Sequence, residues 1–123
     1  MDFPKIVSGG QTGADRAVLD WAMANSIPHG GWCPLSRLAE DGKIDAQYNL
    51  RETPKADYLQ RTEWNVRDSD ATVIISLLPQ LTGGSLATAE LASSLGKPCL
   101  HLSGLQDATE NARQLADFLC RHE

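Results

Sequence analysis

The sequence predicts a three-layer α/β fold, with a mainly parallel central sheet of four to five strands covered by helices on both faces. Three observations predict it. Short apolar, β-branched runs alternate with stretches of helical spacing along the chain. Two of these runs lead into glycine pairs, Gly9-Gly10 and Gly83-Gly84, each followed by a helical stretch. The composition, 41% hydrophobic and 22% charged over 123 residues, is that of an ordinary globular protein large enough to bury a core. The whole chain, 1–123, is therefore expected to form one ligand-binding domain.

The elements follow in order. Lys5-Ile6-Val7-Ser8 reads as a buried strand that ends at Gly9-Gly10. From Gly13 to about Ser26, Val18, Leu19, Ala22 and Met23 recur at helical spacing. Pro28 to Cys33 is a second strand, weakened by Gly30-Gly31. Residues 34–57 show no period and contain Pro34, Gly42 and Pro54, so they are expected to form a long functional loop or mobile lid. Tyr58 to about Asp68 reads as a helix. Ala71 to Leu78 is apolar on both faces and reads as a central parallel strand. A small-residue helix from the Thr82-Gly83-Gly84-Ser85 turn stops at Gly96-Lys97-Pro98. Cys99 to Leu102 is a last strand, and Asn111 to Cys120 a closing helix.

The formal net charge of -5 argues against binding a nucleic-acid backbone. It does not oppose a small anion held by backbone amides and helix dipoles, whose field is local. No run is apolar enough to span a membrane, and the amino terminus shows no secretory pattern. Cys33, Cys99 and Cys120 form neither an even set nor a CxxC pair, which fits a reducing cytoplasm.

The glycine turns carry the functional expectation. Ligands of open α/β sheets sit outside the carboxyl ends of the strands. In Ser8-Gly9-Gly10-Gln11-Thr12-Gly13 the glycines let backbone N–H groups approach a phosphate, and Thr82-Gly83-Gly84-Ser85 repeats the device with two hydroxyls. A phosphate-bearing ligand between the two turns is the expectation. The dinucleotide pattern GxGxxG fails because Ser8 stands at its first glycine, and no acidic residue follows about 20 positions on. The Walker pattern fails because no Gly-Lys-Ser/Thr follows either turn. Thr12-Gly13-Ala14-Asp15 matches a capping box, so Asp15 has two readings, backbone cap or ligand contact. A carboxylate there competes with a phosphate, which places the anion mainly at Gly83-Gly84-Ser85.

Arg37, Arg51 and Lys43 lie in the long loop, where cations either close over an anion or are merely solvated. Arg61 and Asn65 are four apart and share a helix face, solvated by default or directed at a ligand or partner. Glu90 reads as a dipole-favoured carboxylate or a catalytic one, and Cys33 as a small buried hydrophobe. His29 and His101 have no companion at metal-ligand or triad spacing, so no metal site and no nucleophile–base pair is legible.

Ser8-Gly9-Gly10-Gln11-Thr12-Gly13-Ala14-Asp15-Arg16, His29-Gly30-Gly31-Trp32-Cys33-Pro34, Arg37 to Gly42, Arg51-Glu52-Thr53 and Arg61-Thr62 together resemble the molybdenum carrier family over nearly the whole chain. The resemblance implies a Rossmann-like fold related to the lysine decarboxylase-like phosphoribohydrolases. It implies a homo-oligomer, dimer or tetramer, and molybdenum cofactor, or otherwise a nucleotide, as the ligand. Gly9, Gly10, Gln11, Thr12, Gly13, Asp15, Thr82, Gly83, Gly84 and Ser85 would then meet the ligand, with Arg37, Arg51 and Arg61 as closing cations. The related enzymes carry PGGxGTxxE. Residues 82–90 keep the glycine pair, Thr88 and Glu90 but not the later glycine, which argues against phosphoribohydrolase chemistry. In that alternative, a nucleotide N-glycosidase, Glu90 would polarise the ribose and Arg61 or Arg16 would steady the phosphate. A nucleotide-sensing module is the third expectation.

Overall fold

The computed structural model describes residues 4–122. The chain divides into two compact units, Met1–Asn65 and Val66–Glu123.

In the first unit, β1 (Ile6–Val7) pairs in parallel with β2 (His29–Gly30). Helix α1 (Ala14–Ala24) joins them and buries Leu19 and Ala22, three residues apart on one face. It ends where the Asn25 amide donates to the Trp21 carbonyl at 2.9 Å, ahead of Pro28. Gly31 then takes φ +137°, and a Cβ there would fall 2.2 Å from the Ser8 carbonyl oxygen. Only glycine fits that approach. Beyond it the chain becomes β3 (Trp32–Cys33), whose parallel partner is β6 (Arg51–Glu52). One kinked segment thus exchanges partners at Gly31.

The stretch 34–57 is not the structureless lid expected. It holds a short 3-10 turn, Leu35–Arg37, and an antiparallel pair, β4 (Leu38–Ala39) with β5 (Gly42–Lys43). Ala39, Ile44, Tyr48 and Thr53 are buried, and the first three pack with Leu19 and Cys33 in one cluster. An Asp-Gly step at Asp41-Gly42 is the overlooked hairpin cue.

Helix α2 (Tyr58–Arg67) crosses the boundary between the units. On its first-unit part, the Asn65 amide accepts from the Trp32 N–H at 2.7 Å and donates to the Trp32 carbonyl at 3.0 Å. A side chain here does what the next residue of β1 would do had that strand continued.

In the second unit, β7 (Thr72–Ser76) and β8 (Cys99–Ser103) pair in parallel over five rungs. Helix α3 (Gly83–Ser94) connects them and closes in a Schellman motif: Gly96 takes φ +67°, and the Lys97 N–H reaches the Ala92 carbonyl at 2.9 Å. The Lys97 ammonium caps α2, donating to the carbonyls of Val66, Arg67 and Ser69. Helix α4 (Ala108–Arg121) buries Phe118 and carries ion pairs from Arg113 to Glu110 and Asp117.

The sheet differs from expectation. Among the described residues the strands form four pairs, three parallel and one antiparallel, rather than one sheet of four to five strands. Strands of two residues and the break at Gly31 leave little ladder to propagate. Nor is β7 enclosed as an apolar central strand: Ile75 is 57% exposed. Among the described residues no helix is long and apolar enough to cross a membrane.

Candidate anion-binding site at the first glycine turn

Ser8 begins the site. Its hydroxyl donates to the Asp15 carbonyl at 2.8 Å and accepts from the Gly10 N–H at 3.3 Å, so the turn is tied to the first turn of α1. Gly10 takes φ +74°, which favours glycine. The buried Gln11 side chain donates to the Leu38 carbonyl at 3.0 Å and accepts from the Glu40 N–H at 3.3 Å, holding the hairpin beside the turn. Arg16 donates to the Gly10 carbonyl at 2.9 Å and pairs with Asp41 of the same hairpin. Among the described residues the N–H groups of Gly9, Thr12 and Gly13 have no acceptor. The capping box does not form, for Gly13 precedes α1 with no side-chain cap bond.

Asp15 serves the loop and an arginine instead. Its carboxylate pairs with Arg61 Nη1 at 3.2 Å. Burial raises the Asp15 pKa above its ordinary value, and the pull of Arg61 and of the Gln11 backbone N–H only partly offsets it.

Arg61 lies across the turn. A Cβ on Gly9 would come within 2.1 Å of its Nη1, so Gly9 is required for space rather than for a positive φ. The Arg61 side chain is 14% exposed, and Nε is buried with no partner. Of the five N–H donors of a guanidinium, only the one to Asp15 is used among the described residues. Buried donors are nearly always satisfied, so an unpartnered one at the mouth of a glycine turn calls for a physical explanation.

Arg37 is the contrast. Its guanidinium donates to the carbonyls of Ile44, Asp45, Tyr48 and Leu50 at 2.8 to 3.3 Å, which fastens the loop. Arg37 itself takes φ +55°, in the left-handed region that few non-glycine residues adopt. Arg51 is exposed and lies with its guanidinium carbon 5.9 Å from the Trp32 ring centroid. Thr12 and Gly13 are exposed.

The second turn stands in its own unit. Thr82 precedes α3 without a side-chain cap bond, Gly83 takes φ +56°, and nothing lies within 4 Å of a Cβ on Gly83 or Gly84. Ser85 is half-buried, and Thr88 donates back to the Gly84 carbonyl at 2.8 Å. Glu90 is exposed. A pair invisible in the sequence also lies here, with Ser76 Oγ 2.5 Å from His101 Nε2. The Ser76 hydroxyl donates to the Leu78 carbonyl at 2.7 Å, so its proton is committed and Nε2 is the donor between the two. That tautomer does not activate a serine.

The order of motifs and the geometry of the turn meet in the comparisons. The family model described as cpYpsA, the circularly permutated YpsA SLOG family, matches residues 6–123. The chain belongs to the cpYpsA family. A solved structure from Syntrophus aciditrophicus, described as a "Putative molybdenum carrier protein", is 50% identical, with a TM-score of 0.90. The match covers 96% of this chain and 75% of that one. The molybdenum carrier resemblance read from the motifs agrees with both findings. No curated protein matches this cpYpsA chain.

Proposed function

We propose that this cpYpsA protein is a carrier or binding protein for a small phosphate-bearing ligand, with molybdenum cofactor as the cargo that would accord with a relative described as a molybdenum carrier. One observation carries the reading: the buried, under-used guanidinium of Arg61 laid across Gly9. A phosphate oxygen is the natural partner, because charge-assisted bonds from arginine to phosphate are short and strong. The free N–H groups of Gly9, Thr12 and Gly13 add donors on the same turn. Asp15 keeps Arg61 partly neutralised until the ligand arrives. Gly83, Gly84 and Ser85, with Thr82, offer the uncapped start of α3 as a second anion-facing turn.

The residues suit the phosphate end of a molybdopterin. Among the described residues no cluster of three or more His, Cys, Asp or Glu is placed to hold a metal. Arg37 fastens the loop and contributes no free donor fork, whereas Arg51 remains a closing cation. Exposed Leu77, Leu78 and Leu105 support assembly into a homo-oligomer.

Thermal unfolding against inorganic phosphate, pyrophosphate, AMP and a molybdopterin-loaded extract tests the reading, since a ligand preferring the folded state raises Tm. A rise that disappears in Arg61→Ala supports it. An unchanged Tm throughout the panel removes it. Release of free base from AMP, lost in Glu90→Gln, would instead establish the N-glycosidase reading.

A further inference from the structure

Two successive residues of the first glycine turn are fastened to the same hairpin. At Gly10 the main chain is held: Arg16 Nε lies 3.2 Å and Nη2 2.9 Å from the Gly10 carbonyl oxygen, a fork closed on one acceptor. The same guanidinium grips Asp41 between β4 and β5, with Nη1 and Nη2 on the two carboxylate oxygens. At Gln11 the buried side chain is held, bridging the Leu38 carbonyl and the Glu40 N–H of that hairpin.

What the fork holds is a peptide plane. Gly10 sits at φ +74° and has no side chain to resist rotation of the peptide that follows it. Its carbonyl is turned to Arg16, so across the planar peptide the Gln11 N–H points the opposite way. That N–H acts on Asp15, whose pKa it helps to pull back down, and Asp15 is the partner of Arg61. With the peptide reversed, the Gly10 oxygen rather than the Gln11 hydrogen would face the Asp15–Arg61 pair. A carbonyl dipole aimed there opposes an anion.

We infer that Arg16, locked by Asp41, is a positioning residue for the anion seat: it keeps the Gly10 carbonyl turned away, so the hairpin sets the affinity of a turn to which it gives no donor. This rests on the Arg61 anion seat proposed above. Arg16 itself touches no anion in this scheme. Its charge is engaged by Asp41, whose carboxyl the same bond holds below its ordinary pKa.

Charge and position predict opposite signs for one substitution. Asp41→Asn removes a negative charge beside Arg16 and keeps a residue suited to the turn before Gly42. If Arg16 met the anion directly, or if only the local field mattered, inorganic phosphate would bind this variant more tightly. Positioning predicts binding about fivefold weaker in calorimetric titration of the full chain, because Arg16 is released at one end. Arg16→Ala should lose about tenfold, and the double variant no more than that, since both changes act through one fork. Arg16→Lys should behave as Arg16→Ala, because an ammonium keeps the charge without the fork. The Gln11 amide resonance of Asp41→Asn should shift or double as the peptide samples both orientations. Unchanged or tighter phosphate binding by folded Asp41→Asn overturns the inference and leaves the anion seat standing. So do additive losses in the double variant, or full affinity in Arg16→Lys. Phosphate binding absent from the parent, or unaffected by Arg61→Ala, removes the seat and its positioning residue together. Circular dichroism and Tm establish the folding of each variant, and the sign in Asp41→Asn decides the matter alone should Arg16→Ala unfold.

Discussion

A single side chain, Arg61, decides how the first glycine turn behaves, and its neighbours make the decision measurable. Gly9→Ala would bring a methyl group to within 2.1 Å of Arg61 Nη1 and push the guanidinium off the turn. Because Gly9 needs no positive φ, the expected outcome is a folded protein whose phosphate affinity falls at least about tenfold, as read by calorimetry. Asp15 gives a pH dependence with a definite sign. Ionised Asp15 competes for Arg61, and its native pKa lies above the ordinary 3.8 because burial disfavours the charge. Affinity for sulfate, which keeps its charge throughout, should therefore tighten as pH falls through the native pKa of Asp15, above the ordinary value. Asp15→Asn should flatten that profile. The same raised pKa means that the contribution of Asp15 to stability is complete below the ordinary value and is lost as pH rises through the native one. The Tm of Asp15→Asn relative to the parent should accordingly grow with pH.

Arg61 was legible as a cation on a helix face, but not as the partner of Asp15, 46 positions away. Pairings at that separation are made by the fold and leave no local trace. The acid in the first turn had weighed toward the second glycine pair for the anion. Once Arg61 balances that acid, the weight moves to the first.

At the scale of elements, helices were read nearly to their ends because apolar spacing and the Gly and Pro stops are local. The turns at Gly96 and before Pro28 behave as their residues dictate. The partners of the strands were not legible, since pairing is non-local and two-residue strands carry no alternation. The loop 34–57 misled because its order comes from arginine bonds to carbonyls rather than from apolar periodicity. Arg37→Ala would strand four carbonyl acceptors, with an expected loss of about 3 kcal/mol in denaturant unfolding and faster amide exchange over residues 44–50. Gly31→Ala, combining φ +137° with a 2.2 Å approach to the Ser8 carbonyl, should cost about as much.

For the whole molecule, stability should be distributed unevenly. The ladder of β7 and β8 has five rungs, whereas each strand pair of the first unit has two. Hydrogen exchange is expected to find the slowest amides in residues 72–76 and 99–103, with the glycine turn exchanging faster until a ligand is bound. Protection slower in β1 than in β7 would contradict this. The α/β class was legible from alternation alone, and the family from the order of its motifs. A division into units at Asn65 and Val66, inside a continuous helix, was not, because nothing in the composition changes there.

That boundary residue has a chemical lifetime as well as a position. The amide of Asn65 gives one donor and one acceptor to Trp32, and hydrolysis to a carboxylate would keep the acceptor and set a negative charge against a carbonyl oxygen. Ageing at one side chain would thus unfasten α2 from β3 without touching the backbone of either. Asn65→Asp imitates the aged protein, and a loss of about 2 kcal/mol that recovers as the acid is protonated would identify the lesion.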